Sequence, residues 1–205
     1  MKKSELRKLY LSKRKAISVE EMAIKSQQIT DLFFQNFDLS KVKNLHVFLP
    51  IIKRNEIDTW LIIRELVYMN AGWVKPTVEL PASVEQINII IPKIISKKSE
   101  LEHYLFNEKN LTENAWGILE PSGENQEKIL PEQIDLVIIP LLIFDINGNR
   151  VGYGKGFYDR FLQQCRPKTL KIGVCLEEPI EMIEDTNEFD IKMNFCITPN
   201  KIYRF

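Results

Sequence analysis

Residues 135–159 read DLVIIPLLIFDINGNRVGYGKGFYD, and the fold class turns on them. After Asp135 the next nine residues, Leu136 to Phe144, are apolar, interrupted only by Pro140. A strand wet on one face alternates apolar and polar residues. An unbroken run instead suits a strand covered on both faces, as in an α/β sheet. Proline cannot donate to a sheet ladder, so Pro140 predicts a bend or a strand end inside the run. A glycine-rich loop follows, and residues 157–164 then read as a helix that Pro167 stops. Glycine is scarce, yet Gly148, Gly152, Gly154 and Gly156 are four of only 8 in the chain.

Outward from this segment, helices and strands alternate. Leu6, Leu9, Tyr10 and Ile17 follow helical spacing near the start. Ser18 and Glu21 form a capping-box pattern for a second helix, whose apolar face is Met22, Ile29, Leu32, Phe33 and Phe37. Asp58 is placed to cap a third, running through Trp60, Ile63 and Leu66 to a stop at Gly72. Strands are expected at 44–49, 73–74, 87–91, 171–176 and 195–197, and a further short helix at 99–108. This order, without a visible linker, gives one α/β domain.

Composition narrows the function. The chain has 205 residues, 44% hydrophobic and 27% charged, which is globular composition with enough length for a core. Lys plus Arg is 28 and Asp plus Glu is 28, so whole-molecule charge does not attract a polyanion. The start lacks the apolar run of a secretory signal, and no stretch reaches the ~18 apolar residues of a membrane helix. Three widely spaced cysteines without a CxxC fit a reduced chain in the cytoplasm. Two histidines, His46 and His103, are too few for a histidine-rich zinc site, and His46 reads as core or edge packing. The neutral total hides segregation. Residues 1–15 hold seven bases against Glu5, whereas residues 177–190 hold seven acids and no base. Two solvated faces would explain these blocks, as would partners for an anionic ligand and a cation.

The loop itself has two readings. Strand, glycine-rich loop and helix is an arrangement that binds phosphate: glycines admit the anion to the backbone, and N–H groups at the helix start point at it. Arg150 adds a two-pronged donor and Lys155 a movable charge. The alternative is a wide hairpin turn, since 145–148 is ordinary turn chemistry. The spacing fits neither the P-loop, because Gly156 follows Lys155, nor GxGxxG.

The residues GNRVGYGKGFYDRFL, preceded by IIPLLIFD, resemble the hallmark of the 5-formyltetrahydrofolate cyclo-ligase family. Four glycines, an arginine, an aromatic pair and Asp-Arg stand in the same register. The resemblance extends to Lys3 and Arg7 in the basic first helix, to FLPIIKRNEIDT with Glu56, to WGILEP from Trp116, and to NEFDIKMNFCITP with Asp190. Val151 stands where Leu is usual, Phe157 where the first Tyr is usual, and Asn194 where many members have a second Asp.

The resemblance implies a three-layer α/β/α sandwich around a mostly parallel, mixed sheet, over residues 1–205 as a single domain. It implies a monomeric cytoplasmic ligase that uses ATP and Mg²⁺ to cyclise 5-formyltetrahydrofolate, with no nucleic-acid or membrane partner. Matched by position, Lys3, Arg7 and the loop Arg150, Val151, Gly152, Tyr153, Gly154, Lys155, Gly156, Phe157 and Tyr158 would bind ATP, with Arg150 and Lys155 supporting the developing charge. Glu56, Trp116 and the segment from Tyr153 to Phe157 would meet the folate. Asp159 and Asp190 would hold Mg²⁺, which needs only one or two carboxylates beside phosphate and water. Taken alone, Glu56 reads as a surface acid, Trp116 as core, Asp159 as a first-turn helix acid and Asp190 as a turn residue. A sugar-phosphate isomerase or transferase would use the same loop without ATP. An RNA-binding module would use the basic start, but that segment lacks interleaved aromatics.

Overall fold

The computed structural model describes residues 1–72, 86–95, 99–114, 117–123 and 126–205. The strand expected at 73–74 and Trp116 lie outside them. The chain opens with two helices, α1 (Lys3–Lys15) and α2 (Val19–Asn36). Ser18 caps α2 by accepting from the Glu21 amide at 3.1 Å. Strand β1 (Asn44–His46) leads to α3 (Trp60–Asn70), where Asp58 takes the Trp60 amide. Then come β2 (Asn88–Ile95), β3 (Glu100–Leu105) and a small antiparallel pair, β4 (Leu111–Glu113) with β5 (Leu119–Pro121). The apolar run becomes β6 (Leu136–Pro140) and β7 (Ile143–Phe144), broken after Pro140. The end comprises β8 (Arg150–Val151), α4 (Phe157–Gln164), β9 (Leu170–Val174), β10 (Phe195–Ile197) and β11 (Ile202–Arg204).

Seven strands form one mixed sheet in the order β11-β10-β9-β6-β1-β2-β3. The inner pairings are parallel, and the two edge strands β3 and β11 are antiparallel. Strand β6 is central and buried on both faces. Leu136 and Ile138 pack toward α2 and α3, with Phe33, Ile62 and Leu66. Val137 and Ile139 pack the other way, with Phe161 and Leu162 of α4. This is why its sequence is an unbroken apolar run.

Residues 99–108 do not form a helix. Leu101, His103 and Leu105 alternate with Glu100, Glu102 and Tyr104, and the segment pairs with β2 over six residues. Pairing with β2, and the packing of Leu101, His103 and Leu105 on the Phe161 side, override the local helical tendency. Strand β11, which the sequence reading did not include, completes the other edge.

The connections position the site. Strand β1 continues through α3 to β2 on one side, and β6 continues through α4 to β9 on the other. Because β1 and β6 are neighbours, the chain diverges at their C-terminal ends and leaves a crevice there. Open α/β sheets bind ligands at such switch points.

Candidate functional site

The glycine segment divides into two parts, a hairpin turn and an open loop before α4. Strands β7 and β8 form an antiparallel hairpin, pairing Ile143 with Val151 and Phe144 with Arg150. The fully buried Asp145 organises its turn. Its carboxylate accepts from the amides of Asn147 and Asn149 (both 3.0 Å), from the Asn149 side chain, and from the Ile183 amide at 3.1 Å. Beyond the hairpin, 152–156 is an open loop leading into α4. Gly154 and Gly156 adopt positive φ (87° and 68°), which only glycine takes without strain. Lys155 is exposed, and its ammonium has no partner among the described residues.

Helix α1 runs along this loop. Lys3, Arg7, Tyr10 and Arg14 recur at helical spacing, so one face of α1 carries all four. Lys3 Nζ pairs with Asp190 Oδ2 at 2.5 Å, and Arg7 Nε donates to the Gly152 carbonyl at 2.9 Å. Tyr10 packs in a cluster with Leu142, Val151 and Ile183. The basic start and the acidic stretch are therefore not two solvated faces but partners. The N-terminal ammonium meets Glu184 at 2.6 Å, the Lys3 amide donates to Asp185, and Lys13 lies 3.6 Å from Glu177.

Arg150 lies beneath the loop with its side chain only 6% exposed. It pairs with Asp159 Oδ1 at 2.6 Å and donates to the Ile191 carbonyl. Burial lowers its guanidinium pKa, while Asp159 and Asp190 hold it up. Asp159 Oδ1 also accepts from the Ile191 amide at 3.3 Å, and Asp190 Oδ2 from the Asn187 amide at 2.7 Å. One short segment, 187–191, thus joins the two aspartates. Among the described residues no three His, Cys, Asp or Glu side chains cluster as metal ligands.

The crevice at the switch point is lined by Arg14, Phe48, Glu56, Pro140 and Leu141, among others. Glu56 is not a surface acid: it is 7% exposed. Its Oε2 accepts from the Ile51 amide at 2.7 Å, and its Oε1 accepts from the Tyr153 hydroxyl. Burial pushes its carboxyl pKa up; the Tyr153 and Ile51 donors and the nearby Arg14 and Arg54 pull it back. Burial, and then the Glu56 charge, push the Tyr153 hydroxyl well up.

The structure thus gathers Lys3, Arg7, Arg150, the 152–158 loop, Asp159 and Asp190 along one side, with Glu56 meeting Tyr153 on the other. Phe157 packs under Arg160, whose guanidinium carbon lies 5.8 Å from the ring centre. Burial raises the pKa of the Tyr158 hydroxyl, which is enclosed without a hydrogen-bond partner among the described residues. His46 is fully buried beside His103 and Phe161, which agrees with a packing role. Sequence reading did not single out Arg14, which bridges the two sides. The available signal was its place on the Lys3–Arg7 face of α1.

Fold and site together define an α/β enzyme with a cation-lined glycine loop beside a buried carboxylate. The chain belongs to the 5-formyltetrahydrofolate cyclo-ligase family, whose model matches residues 1–199. A Schizosaccharomyces pombe protein named "Probable 5-formyltetrahydrofolate cyclo-ligase" is 36% identical over 133 residues, covering 57% of this chain and 64% of that protein. The Mycoplasma genitalium 5-formyltetrahydrofolate cyclo-ligase is 28% identical over 197 residues, covering 95% and 97%. The solution structure of Aquifex aeolicus 5,10-methenyltetrahydrofolate synthetase matches with a TM-score of 0.75 at 28% identity, over all of this chain and 93% of that one. A Mycoplasma pneumoniae synthetase shares the fold with a TM-score of 0.69 at 23% identity, covering 97% and 99%. No helix among the described residues is long and apolar enough to cross a membrane.

Proposed function

We propose that the chain, acting as one domain, catalyses the ATP-dependent cyclisation of 5-formyltetrahydrofolate to 5,10-methenyltetrahydrofolate, releasing ADP and phosphate. One observation carries this reading beyond family membership: a single loop presents cations on one side and reaches Glu56 through Tyr153 on the other. A reaction between a nucleotide and a polar ring system needs such a two-sided surface.

The chemistry is phosphoryl transfer followed by ring closure. The formyl oxygen attacks the γ-phosphorus, the bond to the β-phosphate oxygen breaks, and ADP leaves. The N10 lone pair then attacks the formyl carbon, the carbon–oxygen bond breaks, phosphate departs and the N10 proton is released. Alignment and charge neutralisation are the protein's main tasks. In this reading Lys155 and Arg150 face the charge that develops on the phosphates. Arg7, Lys3 and the backbone N–H groups of the 152–158 loop hold the rest of the nucleotide. Glu56 accepts from the pterin's amino and ring N–H groups. Trp116, outside the described residues, would stack on the substrate's rings.

Asp159 and Asp190 fit a Mg²⁺ site. Each carboxylate has one oxygen that accepts no hydrogen bond from a described residue, and the two are joined through 187–191. Bound there, Mg²⁺ would neutralise phosphate charge. Lys3 and Arg150 now hold those aspartates, so phosphate binding entails an exchange of partners that keeps the charges paired.

The test is growth of the methenyl absorbance with Mg·ATP and 5-formyltetrahydrofolate. Turnover is expected only with ATP, and strongly reduced in Lys155→Ala and Asp159→Ala. Turnover without nucleotide, or two fully active variants, would sink the reading.

A further inference from the structure

Arg14 has no part in the scheme so far, yet it is 7% exposed in the last turn of α1, where its neighbours Lys13 and Lys15 face outward. Its Nη2 donates to the Leu141 carbonyl at 2.5 Å, just past the end of β6. Its Nη1 donates to the Tyr153 hydroxyl at 3.0 Å and lies 4.0 Å from Glu56 Oε1. A guanidinium can only donate. The Tyr153 oxygen must therefore accept from Arg14, which leaves its proton free to go to Glu56. The chain of donors has one direction, from Arg14 to Tyr153 to Glu56, and it ends at the crevice wall. Burying a charge that merely anchors α1 to a carbonyl would be costly; here the charge also compensates a buried carboxylate.

We propose that Arg14 is a positioning residue: by fixing the direction of the Tyr153–Glu56 hydrogen bond, it holds Glu56 as an ionised acceptor for the N–H groups of the substrate's ring. The role rests on the reading above that places folate at Glu56. It also makes α1 a rigid bar, with its N-terminal half at the phosphate side and its last turn at the folate side. Lysine would keep the charge but lose the fork that reaches both oxygens.

The test is steady-state kinetics on R14Q, R14K, E56Q and the R14Q/E56Q double variant. R14Q is expected to raise KM for 5-formyltetrahydrofolate about tenfold, the loss of roughly one charged hydrogen bond, with KM for ATP little changed. The acid limb of kcat/KM should move to higher pH in R14Q, because Glu56 loses its counter-charge, and stay in place in R14K. The double variant should be no worse than E56Q, since both changes break one unit. Independent, multiplying effects, or an acid limb that stays put in R14Q, would overturn the role. If R14Q does not fold, R14K carries the test, and a wild-type folate KM in R14K overturns it. An E56Q enzyme with unchanged folate KM refutes the placement of folate itself, which is a separate failure.

Discussion

The Tyr153 hydroxyl donates to Glu56 Oε1 across 97 residues of sequence. That bond ties the crevice after β1 to the glycine loop after β8. A buried carboxylate is stabilised by its donors, and among the described residues Glu56 has two, Tyr153 and the Ile51 amide. Tyr153→Phe removes one of them and keeps the ring. The variant is expected to lose about 1.5–3 kcal/mol of stability, the usual worth of a hydrogen bond to a charged group. KM for the folate should rise while KM for ATP holds. Urea unfolding and two-substrate kinetics check both; a rise in the ATP KM alone would place Tyr153 on the nucleotide side.

Lys155 and Arg150 separate catalysis from stability. Lys155 is exposed and unpaired among the described residues, so Lys155→Ala should leave stability within about 0.5 kcal/mol. Its kcat should nonetheless fall by about 100-fold, the scale for losing a charge aimed at a developing anion. Arg150→Ala strips a buried ion pair, leaving Asp159 without its counter-charge and the Ile191 carbonyl without its guanidinium donor. That variant should lose about 3 kcal/mol of stability besides its activity. Thermal melts read beside single-turnover rates distinguish the two cases.

The buried histidine pair predicts the response to acid. His103 is 2% exposed, and its ring lies 5.1 Å from that of His46. Burial, helped by Lys128, pushes the His103 pKa down from 6.5 to about 4, and burial and His103 push His46 down as well. Below the unfolded value the unfolded chain binds protons that the folded chain refuses. Stability is therefore complete above pH 6.5 and falls as pH drops from 6.5 toward 4. Each histidine contributes a slope of up to about 1.4 kcal/mol per pH unit. His103→Phe should flatten the stability profile between about pH 6.5 and 5, where most carboxylates have yet to titrate. An unchanged slope in that variant would assign the acid sensitivity elsewhere.

Legibility in the sequence followed the range of the interactions. Strand β6 was readable because burial on both faces leaves a composition that a half-exposed strand lacks. The glycine register was readable because positive φ at Gly154 and Gly156 is a local demand of the backbone. Residues 99–108 read as a helix because the alternation of Leu101, His103 and Leu105 becomes a strand only when β2 lies alongside. Glu56 looked like a surface acid for the same reason: its burial comes from Tyr153 and Arg14, which are remote in the chain. The charge blocks at 1–15 and 177–190 were visible, but not that α1 would lay one against the other.

Gly154 sits where backbone conformation and the cation face of α1 meet. Its φ is 87°, and a Cβ there would lie 2.8 Å from the guanidinium carbon of Arg7. Gly154→Ala therefore incurs two separate costs. Left-handed backbone in a residue with a Cβ costs about 1–2 kcal/mol, and displacing Arg7 from the Gly152 carbonyl forfeits about 1 kcal/mol more. In an Arg7→Ala background only the backbone cost remains, so the substitution should destabilise less there than in the wild type. The catalytic defect should persist in both backgrounds, because the loop rather than the arginine carries the altered conformation. Equal destabilisation in the two backgrounds would show that Arg7 yields freely and that the glycine is required for φ alone.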